Sequence, residues 1–154
     1  VQAFPALVLV AAGVALVPPS AFTAAILIAL TGWPDVARLV RAEALRLSRM
    51  PYVEAARAMG ASRARVLLVH VLPGALAPAL ATLPYVLGGA VLLEASLSFL
   101  GLGTPPPTAS WGRALADARE SLATAWWCVA PPTAALFLFV LSARKAGEAL
   151  AESR

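Results

Sequence analysis

The sequence predicts an all-α, polytopic helical membrane protein with about four visible transmembrane helices. Three observations predict it. Of 154 residues, 60% are hydrophobic and only 13% are charged, whereas soluble domains run at about 45–50% and about 25%. The apolar residues fall in long charge-free blocks, and mean hydropathy reaches +0.81. The arginines gather beside those blocks, as they do in cytoplasmic loops. A soluble helical domain with an unusually apolar core is the alternative, and the length of the blocks argues against it.

Residues 1–34 carry no charge, and Pro18, Pro19 and Ser20 interrupt the run. The run reads as two helices joined by a tight turn, because a spanning helix needs about 20 apolar residues. The first helix covers about Phe4 to Val17. The chain opens at Val1 inside an apolar stretch, without a basic leader, which reads as a fragment lacking its N-terminal part. The second helix begins near Ala21, passes Trp33, and continues as a more polar helix through Arg38, Arg41 and Arg46.

Residues 35–65 form the main polar segment, with Arg38, Arg41, Arg46, Arg49, Arg57, Arg63 and Arg65 against Asp35, Glu43 and Glu54. This excess of arginine marks the cytoplasmic side. Pro51 suits the first turn of a short helix. Tyr52, Ala55, Ala56 and Met59 are expected on one face of it, with Glu54 and Arg57 beside them. Gly60 suits a helix stop, and Ser62 can cap the next helix.

Pro73 is expected to break the chain, placing the third span at about Gly74 to Glu94, with Pro78 and Pro84 inside it. Residues 95–120 form a connection. Its Leu100-Gly101-Leu102-Gly103 and Pro105-Pro106-Pro107 runs exclude a continuous helix, and a short helix is expected from Arg113 to Glu120. The fourth span is read at Ser121 to Ala143, with Trp126 and Trp127 as interface anchors and Arg144-Lys145 following on the inside.

Enzyme signatures are scarce. The sequence has no phosphate-cradling G-x-x-x-x-G-K-[ST], no H-E-x-x-H and no G-x-S-x-G. One cysteine, Cys128, and one histidine, His70, exclude an internal disulfide and a paired-histidine metal site. His70 reads as structural at the foot of a span. No cofactor is expected, and the basic balance of +4 fits membrane topology rather than nucleic acid. Glu94 lies near a span end, facing either a cavity, a subunit interface or the hydrated outer surface. Thr82 and Tyr85 read as helix packing rather than solute contacts.

The informative stretch is Tyr52-Val53-Glu54-Ala55-Ala56-Arg57-Ala58-Met59-Gly60, followed by His70-Val71-Leu72-Pro73. A short amphipathic helix with small residues on its face, ended by glycine and fixed between two spans, has the physics of a docking element. An ordinary cytoplasmic loop lying on the membrane fits the composition equally well. A secondary transporter or channel also suits proline-containing helices, but has no need of a docking helix.

The stretch resembles the "EAA" loop of ABC importer permeases, with Glu54, Ala55, Ala56, Gly60, Leu72 and Pro73 at the motif positions. Trp33-Pro34, Ala37-Arg38-Leu39-Val40-Arg41, Glu94-Ala95-Ser96-Leu97-Ser98-Phe99-Leu100-Gly101-Leu102-Gly103 and Pro106-Pro107-Thr108-Ala109-Ser110-Trp111-Gly112 resemble the dipeptide/oligopeptide/nickel class. The resemblance implies a type I importer permease fold over residues 1–154, with residues 35–73 as a cytoplasmic coupling loop. It implies a non-enzymatic, multi-pass subunit of the inner membrane that forms the path for peptides or a similar small solute. The implied partners are cytoplasmic ATP-binding subunits, a second, related permease, an extracytoplasmic solute-binding protein and the lipid bilayer. Glu54, Ala55, Ala56 and Gly60 are then expected at the ATPase contact, with Arg57 added on spacing.

Two parts of the chain depart from the family pattern. Gly74 stands where asparagine often follows Leu-Pro. Near the C-terminus, Arg144, Gly147, Glu148 and Leu150 stand at the places of an Asn-x-x-Gly-Asp-x-Leu-Arg pattern, with Ala151 for the last arginine, so the tail is divergent.

Overall fold

A computed structural model describes residues 5–18, 20–103 and 105–152. Its helices are α1 (Ala6–Leu16), α2 (Ala21–Leu47), α3 (Pro51–Ala58), α4 (Arg63–Arg65), a π-helical turn (Val66–Val71), α5 (Leu72–Phe99), α6 (Trp111–Glu120), a 3-10 turn (Trp126–Val129) and α7 (Ala130–Glu152). Among the described residues, three helical stretches are long and apolar enough to cross a membrane: Ala21–Leu47, Arg63–Phe99 and Trp126–Leu150. The helix α1 is apolar but has 11 residues, about 16 Å at helical rise, against a hydrocarbon core of about 30 Å. Phe4 and Pro19, named above at the first span and its turn, lie outside the described residues.

Several expected boundaries change. Pro73 does not break the chain, because the helix runs from Arg63 through it to Phe99. A proline inside an α-helix removes one N–H and crowds the carbonyl four residues back. Here the preceding turn is π-helical, with the Leu72 N–H bonded to the Leu67 carbonyl, and the wider turn accommodates the ring. The helix also runs past Glu94 to Phe99, so residues 95–99 are not part of a connection. At the far end, Ser121–Ala125 is turn, helical structure starts at Trp126, and α7 continues beyond Arg144 and Lys145 to Glu152. Pro131 and Pro132 fall in the first turn of α7, where a missing N–H costs nothing. The short helix α6 begins two residues earlier than expected, at Trp111, because the Ser110 hydroxyl caps it by accepting the Arg113 N–H at 3.1 Å.

The chain divides into two compact units. One comprises the described residues of Val1–Gly32 and Pro84–Ala146. Its core joins Val10 and Val14 of α1 to Leu97 of α5, with Leu27, Ile28, Leu93 and Leu102 packed around them. Val10 and Val14 are one helical turn apart, so one face of α1 is buried. The C-terminus of α5 closes with Gly101 at φ +79°. The Leu102 N–H bonds the Leu97 carbonyl at 2.9 Å, and the Gly101 N–H bonds the Ser98 carbonyl at 3.1 Å. These two bonds are the six-to-one and five-to-two pair of a Schellman cap. The buried Ser98 hydroxyl donates to Glu94 at 2.6 Å, so Glu94 is partnered within its own helix. The helix α6 lies against α5 and α7: Gly112 sits on the Ala95 backbone, and the rings of Trp111 and Phe139 stand 5.6 Å apart.

The second unit comprises the described residues of Trp33–Leu83 and Gly147–Arg154. Its core is Leu47, Val53, Val66, Val71 and Ala75, with Val40, Ala44, Met50 and Ala61 packed on it. Val40, Ala44 and Leu47 follow helical spacing on α2. Val66 and Val71 are five apart, a spacing that would point them to different sides of an α-helix. The π turn brings both onto the core. Thr82 donates its hydroxyl to the Ala79 carbonyl at 2.8 Å, which is back-bonding within the helix.

Candidate functional site

The chain between α2 and the long third helix is a rigid bracket rather than a loose loop. It leaves α2 through a tight turn, with the Met50 N–H on the Leu47 carbonyl at 3.0 Å. Pro51 then opens α3 at its first position, where its fixed φ is already helical. The far end closes on Gly60, at φ +86°. The Ala61 N–H bonds the Ala56 carbonyl at 3.1 Å, and the Gly60 N–H bonds the Arg57 carbonyl at 2.9 Å, a second Schellman cap. Two residues on, the Ser62 hydroxyl accepts the Arg65 N–H at 3.3 Å and starts the next helix. The stop at Gly60 and the cap at Ser62 stand where the sequence places them.

The helix α3 has an inner and an outer side. Val53 is 0% exposed and Ala56 4% exposed, and Val53 packs into the core with Val66, Val71 and Leu47. The expected face of Tyr52, Ala55, Ala56 and Met59 is therefore divided. Ala56 turns inward with Val53, three residues away, while Tyr52, Ala55 and Met59 are exposed. Glu54, Ala55, Arg57 and Gly60 all lie on the exposed side. Met59 is 83% exposed, more than the other large apolar residues of this segment. An apolar side chain so placed, beside the small Ala55 and Ala58, forms a surface that another protein can approach closely. Met59 was grouped with this helix face on spacing alone. Its exposure follows from the glycine cap beside it, which turns the chain away.

The tyrosine hydroxyl makes a longer-range tie, donating to the His70 carbonyl at 3.2 Å. His70 thus serves through its backbone in the π turn, consistent with a structural role. Gly74, which departs from the family pattern, faces Leu47, and a Cβ there would stand 2.8 Å from the leucine Cδ1. The absent side chain leaves room for the end of Leu47, which packs in the same core as Ala75.

Charge on this unit is uneven. Asp35 pairs with Arg38, and Glu43 with Arg46 at 2.5 Å. Both pairs link residues three apart on α2, and solvent screening keeps their contribution to its stability small. No ion pair joins Glu54 or Arg57 to another described residue. Both project from α3 with their charges available to a partner. Among the described residues, no three His, Cys, Asp or Glu side chains come together to hold a metal.

Three long apolar helices, exposed apolar side chains along them, and a short helix bracketed between two of them define a multi-pass helical membrane protein. The family described as binding-protein-dependent transport system inner membrane component matches residues 1–151, and the chain belongs to that family. It is similar to a Brucella suis protein whose name assigns it provisionally as a peptide transport system permease, at 44% identity over 97% of this chain and 50% of the relative. A di/tripeptide transport system permease protein of Pseudomonas aeruginosa is 38% identical over 98% of this chain and 50% of the relative. A glutathione transport system permease protein of Shigella dysenteriae is likewise 38% identical, with the same coverage of 98% and 50%. The chain spans about half the length of the curated relatives it matches.

Proposed function

We propose that the protein to which this chain belongs is the permease subunit of an ATP-driven importer for peptides or a similar small solute. In this reading α3 lies on the cytoplasmic side and docks in a cleft of a separate ATP-binding subunit. Glu54, Ala55, Arg57 and Gly60 belong to the contact, with Met59 beside them, and Ala56 supports the helix from beneath. A related second permease completes the translocation path, and an extracytoplasmic binding protein delivers the solute. The permease performs no covalent chemistry. It alternates between two accesses because its partner binds them unequally, and only such differential binding can shift the population.

The observation that carries this reading is the build of α3. It is entered through a tight turn and Pro51, closed by the glycine cap at Gly60, anchored on one side by Val53, and left with an exposed, small-residue surface on the other. Seven arginines against three acids over residues 35–65 favour the cytoplasmic side. The names of the relatives favour peptides as the solute. No observation favours the alternative, a secondary transporter or channel, which has no use for a bracketed helix of this kind.

The test is co-purification from mild detergent of the complete, tagged protein, native and with Ala55→Asp. Loss of an associated P-loop ATPase with the variant supports the reading. An unchanged complex, or no ATPase with the native protein, overturns it.

A further inference from the structure

The chain after α3 combines features that the docking reading leaves unused. Val66–Val71 is π-helical, a conformation rare outside functional segments. It sits directly before Pro73, which supplies no N–H to the helix ladder. The helix α3 holds this turn at two adjacent points. Val53 packs on Val66 and Val71 from the core side, and Tyr52 donates its hydroxyl to the His70 carbonyl at 3.2 Å. Those two residues are 18 apart in sequence, and the bond crosses from one helix to the next.

A π turn has an alternative. A helix can close the same residues in the tighter α register, moving the extra residue elsewhere along its length. Which register holds depends on the groups fastened to the turn. Val66 and Val71 reach the core together only in the wide register, as their five-residue spacing requires. The tyrosine bond fastens the same turn from the outside.

We propose that Tyr52 is a positioning residue for energy coupling: its hydroxyl clamps the π turn to α3, so that a displacement of α3 is passed into α5. The inference rests on the reading of α3 as the docking helix. Tyr52 acts through the His70 carbonyl rather than on the solute or on nucleotide. Without the hydroxyl, only the Val53 packing joins α3 to the turn, and a displacement of α3 is passed on less fully.

The experiment uses the assembled importer, with both permeases and the ATP-binding subunits, in lipid nanodiscs. Hydrogen–deuterium exchange is followed in the peptides of residues 51–58 and 66–72, with and without Mg²⁺ and a non-hydrolysable ATP analogue. In the native complex the analogue changes exchange in both peptides. With Tyr52→Phe, exchange of 66–72 without nucleotide rises about fivefold, the worth of a single ordinary hydrogen bond. The analogue still changes residues 51–58, but its effect on 66–72 is weakened. If 66–72 respond to the analogue as in the native complex, the inference is overturned, whether or not their basal exchange has risen. A merely structural bond would give that result. If the analogue changes nothing in residues 51–58 of the native complex, the docking reading itself fails.

Discussion

Gly112, in the first turn of α6, rests directly on the backbone of Ala95 in α5. A Cβ at position 112 would overlap the Ala95 carbonyl, and a backbone atom cannot step aside as a side-chain end can. Gly112→Ala therefore lifts α6 from α5. The expected cost is that of overpacking a close contact, about 1–3 kcal/mol. Thermal unfolding of the complete protein in detergent checks it, and changed fluorescence of the adjoining Trp111 reports the displacement of α6.

Gly60 poses the opposite situation, because nothing lies within 4 Å of its would-be Cβ, but its φ is +86°. The penalty for a side chain there is conformational, about 1–2 kcal/mol. Asparagine tolerates this region better than alanine, and a β-branched residue tolerates it least. Melting temperatures are expected to fall in the order Gly60, Asn, Ala, Val. A contact-driven site would rank them by size alone.

Gly74 and Leu47 are expected to be energetically coupled. Replacing a mid-helix glycine with alanine gains about 1 kcal/mol of helix propensity. At Gly74 the new Cβ meets Leu47 Cδ1 at 2.8 Å, and the leucine end has to shift within its packed core, which offsets the gain. Gly74→Ala is expected to be near neutral in the native chain and stabilising by about 1 kcal/mol when Leu47→Ala has removed the neighbour. A double-mutant cycle on the unfolding free energy measures the coupling, and a value near zero would show that the two positions are independent.

The cap of α6 is a local test of the same helix. Ser110→Ala removes the acceptor of the Arg113 N–H and is expected to destabilise α6 by about 1 kcal/mol, while Ser110→Asp retains the cap. Hydrogen exchange of the first turn of α6 separates the two variants.

These contacts explain which parts of the structure were legible in the sequence. The caps at Gly60, Ser62 and Ser110 act through bonds to residues a few positions away, so the local sequence carries them. The apolar spans were legible because bilayer thickness sets their length. Pro73 misled, since its effect depends on the turn before it, and the clue to that turn was the five-residue step from Val66 to Val71. The division of α3 was not readable from eight residues, because which side is inner depends on Val66, Val71 and Leu47 arriving from elsewhere. Glu54, Ala55, Ala56 and Gly60 were marked by resemblance rather than by any pattern of their own. The structure then separates Ala56, which supports the helix, from the others, which face outward. The bond from Tyr52 to His70 had no sequence signal, since it pairs a side chain with a distant carbonyl.

The central claim is that the exposed side of α3 meets an ATP-binding subunit. A photo-reactive benzoylphenylalanine in place of Met59, a large and largely exposed residue, tests it in membranes holding the complete importer. Irradiation is expected to yield an adduct containing a P-loop ATPase, while the same group in place of Ala114 on α6 yields none. No ATPase adduct from position 59, or equal adducts from both positions, would contradict the account.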